Sequence, residues 1–106
     1  MQAAALEQCV YAPRVPHLSE KHVERISAAI AEPRRFRILK DLATHPGAMQ
    51  CSAIVDRHGV SAATISHHLK ELEEAGLVEI AREGKCAFVS LKRDVWKAYV
   101  ARLREL

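Results

Sequence analysis

The chain has 106 residues, of which 49% are hydrophobic and 27% charged, and this is the composition of one globular domain with its own core. No apolar run approaches the ~20 residues of a membrane-spanning helix, and residues 1–11 lack the cationic start and long apolar block of a secretory signal. A cytoplasmic protein without membrane contact is therefore expected. The formal net charge of +3 permits nucleic-acid binding without demonstrating it.

The first residues differ in pattern from the rest of the chain. Residues 1–17 contain two prolines and little periodicity, which predicts an N-terminal arm followed by one domain over residues 18–106. Within that domain, Ser19 can cap a first helix that ends near Ala31.

A second helix is predicted to begin at Pro33, because proline suits the first turn of a helix. The His-Pro-Gly sequence at residues 45–47 ends it. The apolar residues of this helix face inward. Its basic residues are expected to point largely outward: Arg34, Arg35, Arg37 and Lys40.

Two shorter helices follow, and their spacing is informative. One covers residues 49–58 and is closed by Gly59, and the next covers residues 62–75, with Ser61 as its N-cap and Gly76 as its terminator. Only three residues separate these helices. That spacing predicts a helix-turn-helix, in which the second helix can enter a DNA major groove.

The periodicity then changes to that of strands. Residues 77–82 and 86–91 alternate as two strands joined by a turn at residues 83–85, which predicts a hairpin wing. Asp94 can cap a last helix with more apolar surface than the domain core needs, so part of it is expected to meet a second copy of the chain. The stripe consists of Val95, Trp96, Tyr99, Val100, Leu103 and Leu106. The predicted fold is mainly α with a β-hairpin wing, in the order α-α-α-α-β-β-α.

The fourth helix is the candidate recognition helix. Ile65, Leu69 and Leu72 recur at helical spacing and hold it to the core, and His68 lies on their side, which favours a half-buried structural histidine. The opposite face has small, neutral or basic residues, while the acidic residues are confined to the C-terminal half. We expect hydroxyl and imidazole groups to meet bases or phosphates, and lysine to meet the backbone. The candidates are Ala62, Ala63, Thr64, Ser66, His67 and Lys70, with Arg82 and Lys85 in the wing.

Three sequence blocks together resemble the ArsR family of winged-helix repressors. They are IAEPRRFRIL at residues 30–39, GVSAATISHHLKELEEAGLV at residues 59–78 and REGKCAFVSL at residues 82–91, within a similarity that spans about residues 24–92. The resemblance implies a homodimer that pairs through its first and last helices and represses from an imperfect palindrome in double-stranded DNA. It also implies release by an effector, and it adds Ser61 to the DNA-facing candidates.

The cysteines leave the effector open. Cys9, Cys51 and Cys86 are far apart and form no CxxC pair, which argues against a disulfide framework and a four-thiolate zinc site. Where metal-sensing relatives carry a CxC pair, this chain has Gln-Cys-Ser at residues 50–52, and the last helix has no histidine, so no metal site is assigned. A thiol switch or an arsenite or other soft metalloid site could use Cys9 and Cys51, with the helix N-terminus expected to lower the pKa of Cys51. Cys86 is expected to be remote and structural. The alternative is a constitutive repressor without cysteine sensing.

Two other function classes compete with DNA binding. A winged helix can pair proteins without touching DNA, although such a module has no need for the uncluttered basic face of the fourth helix. An enzyme would need a nucleophile and an oriented base in a pocket, and no cysteine lies near His67 or His68 in sequence. The expectation is therefore a DNA-binding protein and not an enzyme.

Overall fold

The computed structural model describes residues 17–106, and the helices and strands within this range follow the predicted fold class. The elements in chain order are α1 Glu20–Ile30, α2 Pro33–Thr44, β1 Met49–Gln50, α3 Cys51–His58, α4 Ala62–Glu74, β2 Val78–Glu83, β3 Cys86–Leu91 and α5 Arg93–Arg104. The prediction of a mainly helical fold with a hairpin wing is confirmed. Over the described range, no helix is long and apolar enough to cross a membrane. The predicted boundary between an arm (residues 1–17) and a domain (18–106) stays a prediction.

One strand was not predicted. Met49 and Gln50 were expected to begin the third helix, but they form β1, which pairs antiparallel with β3 so that Met49 faces Val89 and Gln50 faces Phe88. The sheet therefore has three strands in the order β1-β3-β2. Burial of Met49 in the core, at 6% exposure, accompanies this pairing. Two residues are too short a segment to show strand periodicity, and only the presence of β3 gives them a partner.

Two helix caps are confirmed and a third is wrong. The Ser19 hydroxyl accepts a hydrogen bond from the His22 backbone N–H at 3.0 Å, and Ser61 caps α4 in the same way. Asp94 is not the N-cap of the last helix, because α5 begins at Arg93, two residues earlier than predicted, and Lys92 occupies the cap position. The Lys92 backbone N–H donates to the Leu77 carbonyl at 2.8 Å, and this tertiary contact fixes where the chain turns from β3 into α5.

The core is apolar throughout the described range. Every helix contributes to it, and the residues between 17 and 106 that are buried as a whole are all aliphatic except Met49 and Tyr99. Each fully buried Leu or Ile contributes about 1.5–3 kcal/mol through apolar surface removed from water. The side chains with less than 2% exposure are Ile26, Ile38, Leu42, Ile54, Ile65, Leu72, Leu77 and Val89. These residues give α4 a rigid base formed by α1, α2 and α3.

The apolar stripe of α5 is only partly covered within one chain. Val95 and Tyr99 are buried, and the Tyr99 hydroxyl lies 2.8 Å from Ser27 Oγ on α1. Trp96 is half-buried, whereas Leu103 remains 45% exposed near the end of the helix. The stripe thus has a half that packs inward and a half that faces solvent in the single chain.

Candidate nucleic-acid interface

The helix-turn-helix places α4 with one face in the core and the opposite face in solvent. Ile65, Leu69 and Leu72 are 1%, 3% and 0% exposed, as their spacing predicts. All the residues proposed from the sequence to face DNA on this helix and its cap are exposed together on the other face. They are Ser61, Ala62, Ala63, Thr64, Ser66, His67 and Lys70.

The N-terminus of α4 has the chemistry to meet an anion. The Ser61 hydroxyl accepts from the Thr64 backbone N–H at 3.1 Å and lies 2.8 Å from the Thr64 hydroxyl. Ala62 and Ala63 occupy the first turn, where backbone N–H groups have no acceptor within the helix. Because their side chains are single methyl groups, a phosphate oxygen or a base edge can approach these N–H groups closely.

Basic and acidic residues are segregated along α4. Lys70 and His67 are exposed in its first nine residues, while Glu71, Glu73 and Glu74 lie in its last turn. This arrangement keeps carboxylates away from the end of the helix whose dipole favours anions. The geometry suits insertion of the N-terminal half into a groove with phosphates on both sides.

The inner edge of α4 carries an arginine–histidine contact that the sequence pattern did not predict. Arg35 was expected to point outward, but its Nε donates to the Ala29 carbonyl at 2.8 Å and its Nη1 lies 3.3 Å from His68 Nδ1. His68 Nε2 lies 3.9 Å from the Glu32 carboxylate, and the His68 side chain is 12% exposed, as the prediction of a half-buried structural histidine requires. The contact ties the junction between α1 and α2 to the recognition helix.

The surroundings of His68 and Glu32 shift the pKa values of both groups. Burial lowers the pKa of His68, with the Glu32 carboxylate opposing and Arg35 adding to the shift. Desolvation by itself would raise the pKa of Glu32, but hydrogen bonds from the backbone N–H groups of Arg34 and Arg35 outweigh it and lower the pKa. Both shifts favour a neutral imidazole beside an ionised carboxylate at neutral pH.

The wing presents its two candidate cations at its outer end. Arg82 pairs across the sheet with Ala87, Glu83 pairs with Cys86, and Gly84 makes the turn. Arg82 and Lys85 are exposed on either side of that turn. They lie on the part of the hairpin that extends away from the core.

Cys51 does not have the reactive character expected from its place at a helix N-terminus. It is half-buried against the core, and burial raises the pKa of its thiol while the charge of Arg82 opposes the shift. The expectation of a lowered pKa is therefore wrong, because desolvation of the thiolate outweighs the nearby positive charge. Cys9 lies outside the described residues.

Cys86 is the first residue of β3, whereas Cys51 is the first residue of α3, directly after β1. Gln50 Nε2 donates to Cys86 Sγ at 3.3 Å, and Gln50 is the register partner of Phe88, which shares a sheet face with Cys86. Cys51 instead packs against the core. Between residues 17 and 106, no three His, Cys, Asp or Glu side chains are grouped to hold a metal ion.

Comparison with known proteins identifies the family. Residues 30–81 match the family model described as a helix-turn-helix domain. A helix-turn-helix transcriptional regulator of Methanocaldococcus jannaschii, MJ1325, is 38% identical over 82% of this chain and 96% of its own length. A crystal structure of an ArsR family transcriptional regulator superposes with a TM-score of 0.74 at 20% identity, covering 85% of this chain and 91% of the other.

The chain belongs to the ArsR family of helix-turn-helix transcriptional regulators. The solution structure of a homodimeric winged helix-turn-helix DNA-binding domain from Mycobacterium bovis is also similar, with 29% identity, a TM-score of 0.67 and coverage of 83% of this chain and 86% of that one. The relatives of this ArsR-family chain are regulators and not enzymes.

The helix-turn-helix motif did not indicate a second group of basic residues that the structure brings together. Arg34, Arg37 and Lys40 of α2 and Arg57 of α3 line a common cleft at the side of the helix-turn-helix. Their positive charges are visible in the sequence, with three of them within seven residues of α2. Their convergence with Arg57 depends on the packing of α2 against α3.

Proposed function

We propose that this protein is a transcriptional repressor that binds a palindromic operator as a homodimer, with α4 in the major groove. The observation that carries the proposal is the N-terminal face of α4, where an exposed surface without carboxylates surrounds a helix N-terminus with small side chains. Such a surface suits DNA because side chains must pass between two rows of phosphates to reach the bases. A repressor then acts by occupying DNA that the polymerase needs.

The proposed contacts divide by chemistry. Thr64, Ser66 and His67 have donors and acceptors for base edges, whereas Lys70 is suited to a phosphate that sets position without reading sequence. Ser61, Ala62 and Ala63 are proposed to line the close approach of the helix N-terminus. In the wing, Arg82 and Lys85 are proposed to reach the flanking minor groove or its phosphates.

The proposed dimer interface uses α1 and α5. The solvent-facing half of the α5 stripe, with Trp96 half-buried and Leu103 45% exposed, offers apolar area that a second copy can cover. The similar Mycobacterium bovis domain is homodimeric, which supports the same assembly here. A twofold pair of recognition helices would read two half-sites about one DNA turn apart, roughly 34–36 Å.

The hypothesis also includes control of DNA binding by a thiol-reactive effector. Release by an oxidant, by arsenite or by another soft metalloid would use Cys51 together with Cys9. The raised pKa of Cys51 reduces its thiolate fraction at neutral pH, and the thiolate is the reacting species. This observation favours the alternative, a repressor whose DNA binding does not respond through its cysteines.

Binding to the DNA region upstream of the gene tests whether the protein binds DNA and whether it prefers this sequence. Fully reduced protein is titrated onto fluorescent upstream duplex, with an unrelated duplex of equal length as control, at several salt concentrations. We expect tighter binding to the upstream duplex and a steep loss of affinity with salt, because phosphate contacts release counterions. A complete absence of salt-dependent binding would refute the proposal and favour a protein-interaction module.

The same complex then tests effector control. Arsenite or a mild thiol oxidant is added to the wild-type complex and to complexes of Cys51→Ser and Cys9→Ser. Release of wild type but not of the variants would support cysteine sensing. A complex that resists both agents would support constitutive repression.

A further inference from the structure

A basic cleft lies between α2 and α3, outside the recognition helix and the wing. It has a volume of about 600 Å³ and contains four arginine or lysine side chains together with one carboxylate. Its lining residues are Arg34, Arg37, Lys40, Asp41, Thr44, Arg57 and His58. Together these residues form the basic cleft.

The basic cleft has an excess of positive charge. Four cations and one carboxylate give the basic cleft a net charge of +3, which equals the formal net charge of the whole chain. The remaining residues therefore balance to zero. Among the DNA-facing candidates, α4 has one lysine, Lys70, and the wing has Arg82 and Lys85. The basic cleft therefore adds a larger group of cations than either of these regions.

The one carboxylate in the basic cleft is already engaged by its neighbours. Asp41 Oδ2 accepts from His58 Nε2 at 2.9 Å, and Asp41 Oδ1 lies 3.4 Å from Arg57 Nη1. On the far side of the imidazole, Arg34 Nη1 lies 3.4 Å from His58 Nδ1 and donates to the His58 carbonyl at 3.3 Å. This network holds α2 against α3 and fixes the floor of the cleft.

The remaining cations have no carboxylate of their own. Within residues 17–106, no Asp or Glu oxygen lies within 4.0 Å of the side-chain nitrogens of Arg34, Arg37 or Lys40. Arg37 and Lys40 are exposed, and the Arg57 side chain is 57% exposed. Like charges that line one cleft repel one another, and a bound anion with several oxygens relieves that repulsion.

The position of the basic cleft relates it to DNA. Its floor residue His58 precedes the α4 N-cap, Ser61, by three residues, so their Cα atoms are at most about 11 Å apart. A major groove is about 12 Å wide, and phosphates line both of its edges. The Cα atom of this floor residue is therefore no farther from the N-cap of α4 than the width of the groove that α4 is proposed to enter.

We propose that the basic cleft binds phosphate groups of the DNA backbone beside the groove that α4 enters. The proposal rests on the proposed function, since it assigns a second set of contacts to the same complex. These contacts supply affinity and orientation and read no bases. A free phosphate compound offers the same oxygen chemistry, and the experiment distinguishes this source from DNA.

The test compares two double variants that remove equal charge. Arg37→Gln/Arg57→Gln removes exposed cations of the basic cleft, and Lys21→Gln/Lys92→Gln removes two exposed lysines that do not line it. Affinity for the upstream duplex is measured by fluorescence anisotropy across a salt series. Thermal unfolding and sedimentation of each variant verify that fold and assembly are retained.

The expected result is a change in salt slope that only the cleft variant shows. Each lost phosphate contact lowers the slope of log K against log salt by about 0.9. The cleft variant removes two contacts from each protomer of the proposed homodimer, so its slope should fall by about 3.6 and that of the control by much less. Equal slopes for the two variants would overturn the proposal, while the upstream duplex would still be bound. If the wild-type protein shows no salt-dependent binding at all, it is the proposed function that fails.

A second arm tests a free phosphate ligand. Inorganic pyrophosphate is titrated at constant ionic strength into isotope-labelled protein, and backbone amide shifts are followed by NMR. Saturable shifts at the basic cleft, combined with equal DNA salt slopes for both double variants, would assign the site to a soluble phosphate compound and overturn the DNA assignment. Absence of saturable shifts, with a reduced slope for the cleft variant, is the result we expect.

Discussion

Substitution of Gly76 by alanine tests how α1 is held to the end of the recognition helix. Gly76 follows α4 with a φ of +79°, and a Cβ at this position would lie 2.9 Å from His22 Nε2 and 3.3 Å from His22 Cε1. The same imidazole nitrogen donates to the Ala75 carbonyl at 2.8 Å. The methyl group must therefore displace His22 and break its hydrogen bond to the last turn of α4.

The expected loss of stability in Gly76→Ala has two parts. A left-handed backbone costs an L-residue about 1–2 kcal/mol, and loss of the His22 hydrogen bond costs about 0.5–1.5 kcal/mol. Gly76→Ala should therefore lower the free energy of unfolding by about 1.5–3.5 kcal/mol. Each 1 kcal/mol corresponds to about 4–8 °C in Tm for a domain of this size.

Gly84→Ala is the matched control. Its φ is +63°, and a Cβ there would meet no atom within 4 Å, so it should show only the backbone part of the loss. Urea unfolding at equal protein concentration gives the free energy of unfolding of each variant. Changing glycine to alanine also lowers the entropy of the unfolded chain, and this effect is the same in both variants, so it cancels when they are compared. In a His22→Ala background, the cost of Gly76→Ala should fall to that of Gly84→Ala. Equal costs for the two glycine variants in the wild-type background would refute the proposed role of His22.

Substitutions at Tyr99, His68 and Leu103 test a core hydrogen bond, the effect of a half-buried imidazole and the proposed dimer interface. Tyr99→Phe removes the 2.8 Å contact with Ser27 and should lower the free energy of unfolding by about 0.5–1.5 kcal/mol in urea titrations, with no change in the helical circular dichroism of the folded protein. The pKa of His68 is lowered in the folded state, so the unfolded chain binds more protons as the pH drops through 6.5, and the free energy of unfolding should fall with it. His68→Gln should flatten this dependence of the free energy of unfolding on pH. An unchanged slope in the variant would contradict the prediction. Leu103→Glu places a charge on the solvent-facing half of the α5 stripe and should give a monomer in sedimentation, whereas Ala48→Glu on an exposed loop should leave the dimer intact.

The recognition helix was predictable because its signals are local. Ser61 caps α4 through its own hydroxyl, Gly76 ends the helix with a positive φ, and the spacing of Ile65, Leu69 and Leu72 defines the buried face. Each of these features depends on residues within one or two helical turns. The exposed, DNA-facing side follows as the complement of that buried face.

Features that depend on distant segments were not predictable. Lys92 takes the N-cap position of α5, in place of Asp94, because its backbone N–H meets the Leu77 carbonyl, fifteen positions earlier in the chain. Arg35 turns inward because Ala29 and His68 offer it acceptors on two other helices. Periodicity measures which face of a helix is apolar, but it does not show where a long polar side chain finds its partner.

The sequence by itself determined the order of the helices, the position of the wing and the family of this protein, because helical spacing, capping residues and turn glycines are properties of neighbouring residues. Tertiary structure alone decided the pairing of β1 with β3, the raised pKa of Cys51 and the convergence of Arg57 with the basic residues of α2. These features depend on how segments far apart in the chain pack together. Burial and charge at a residue are sums over everything that surrounds it, and that sum exists only once the chain has folded.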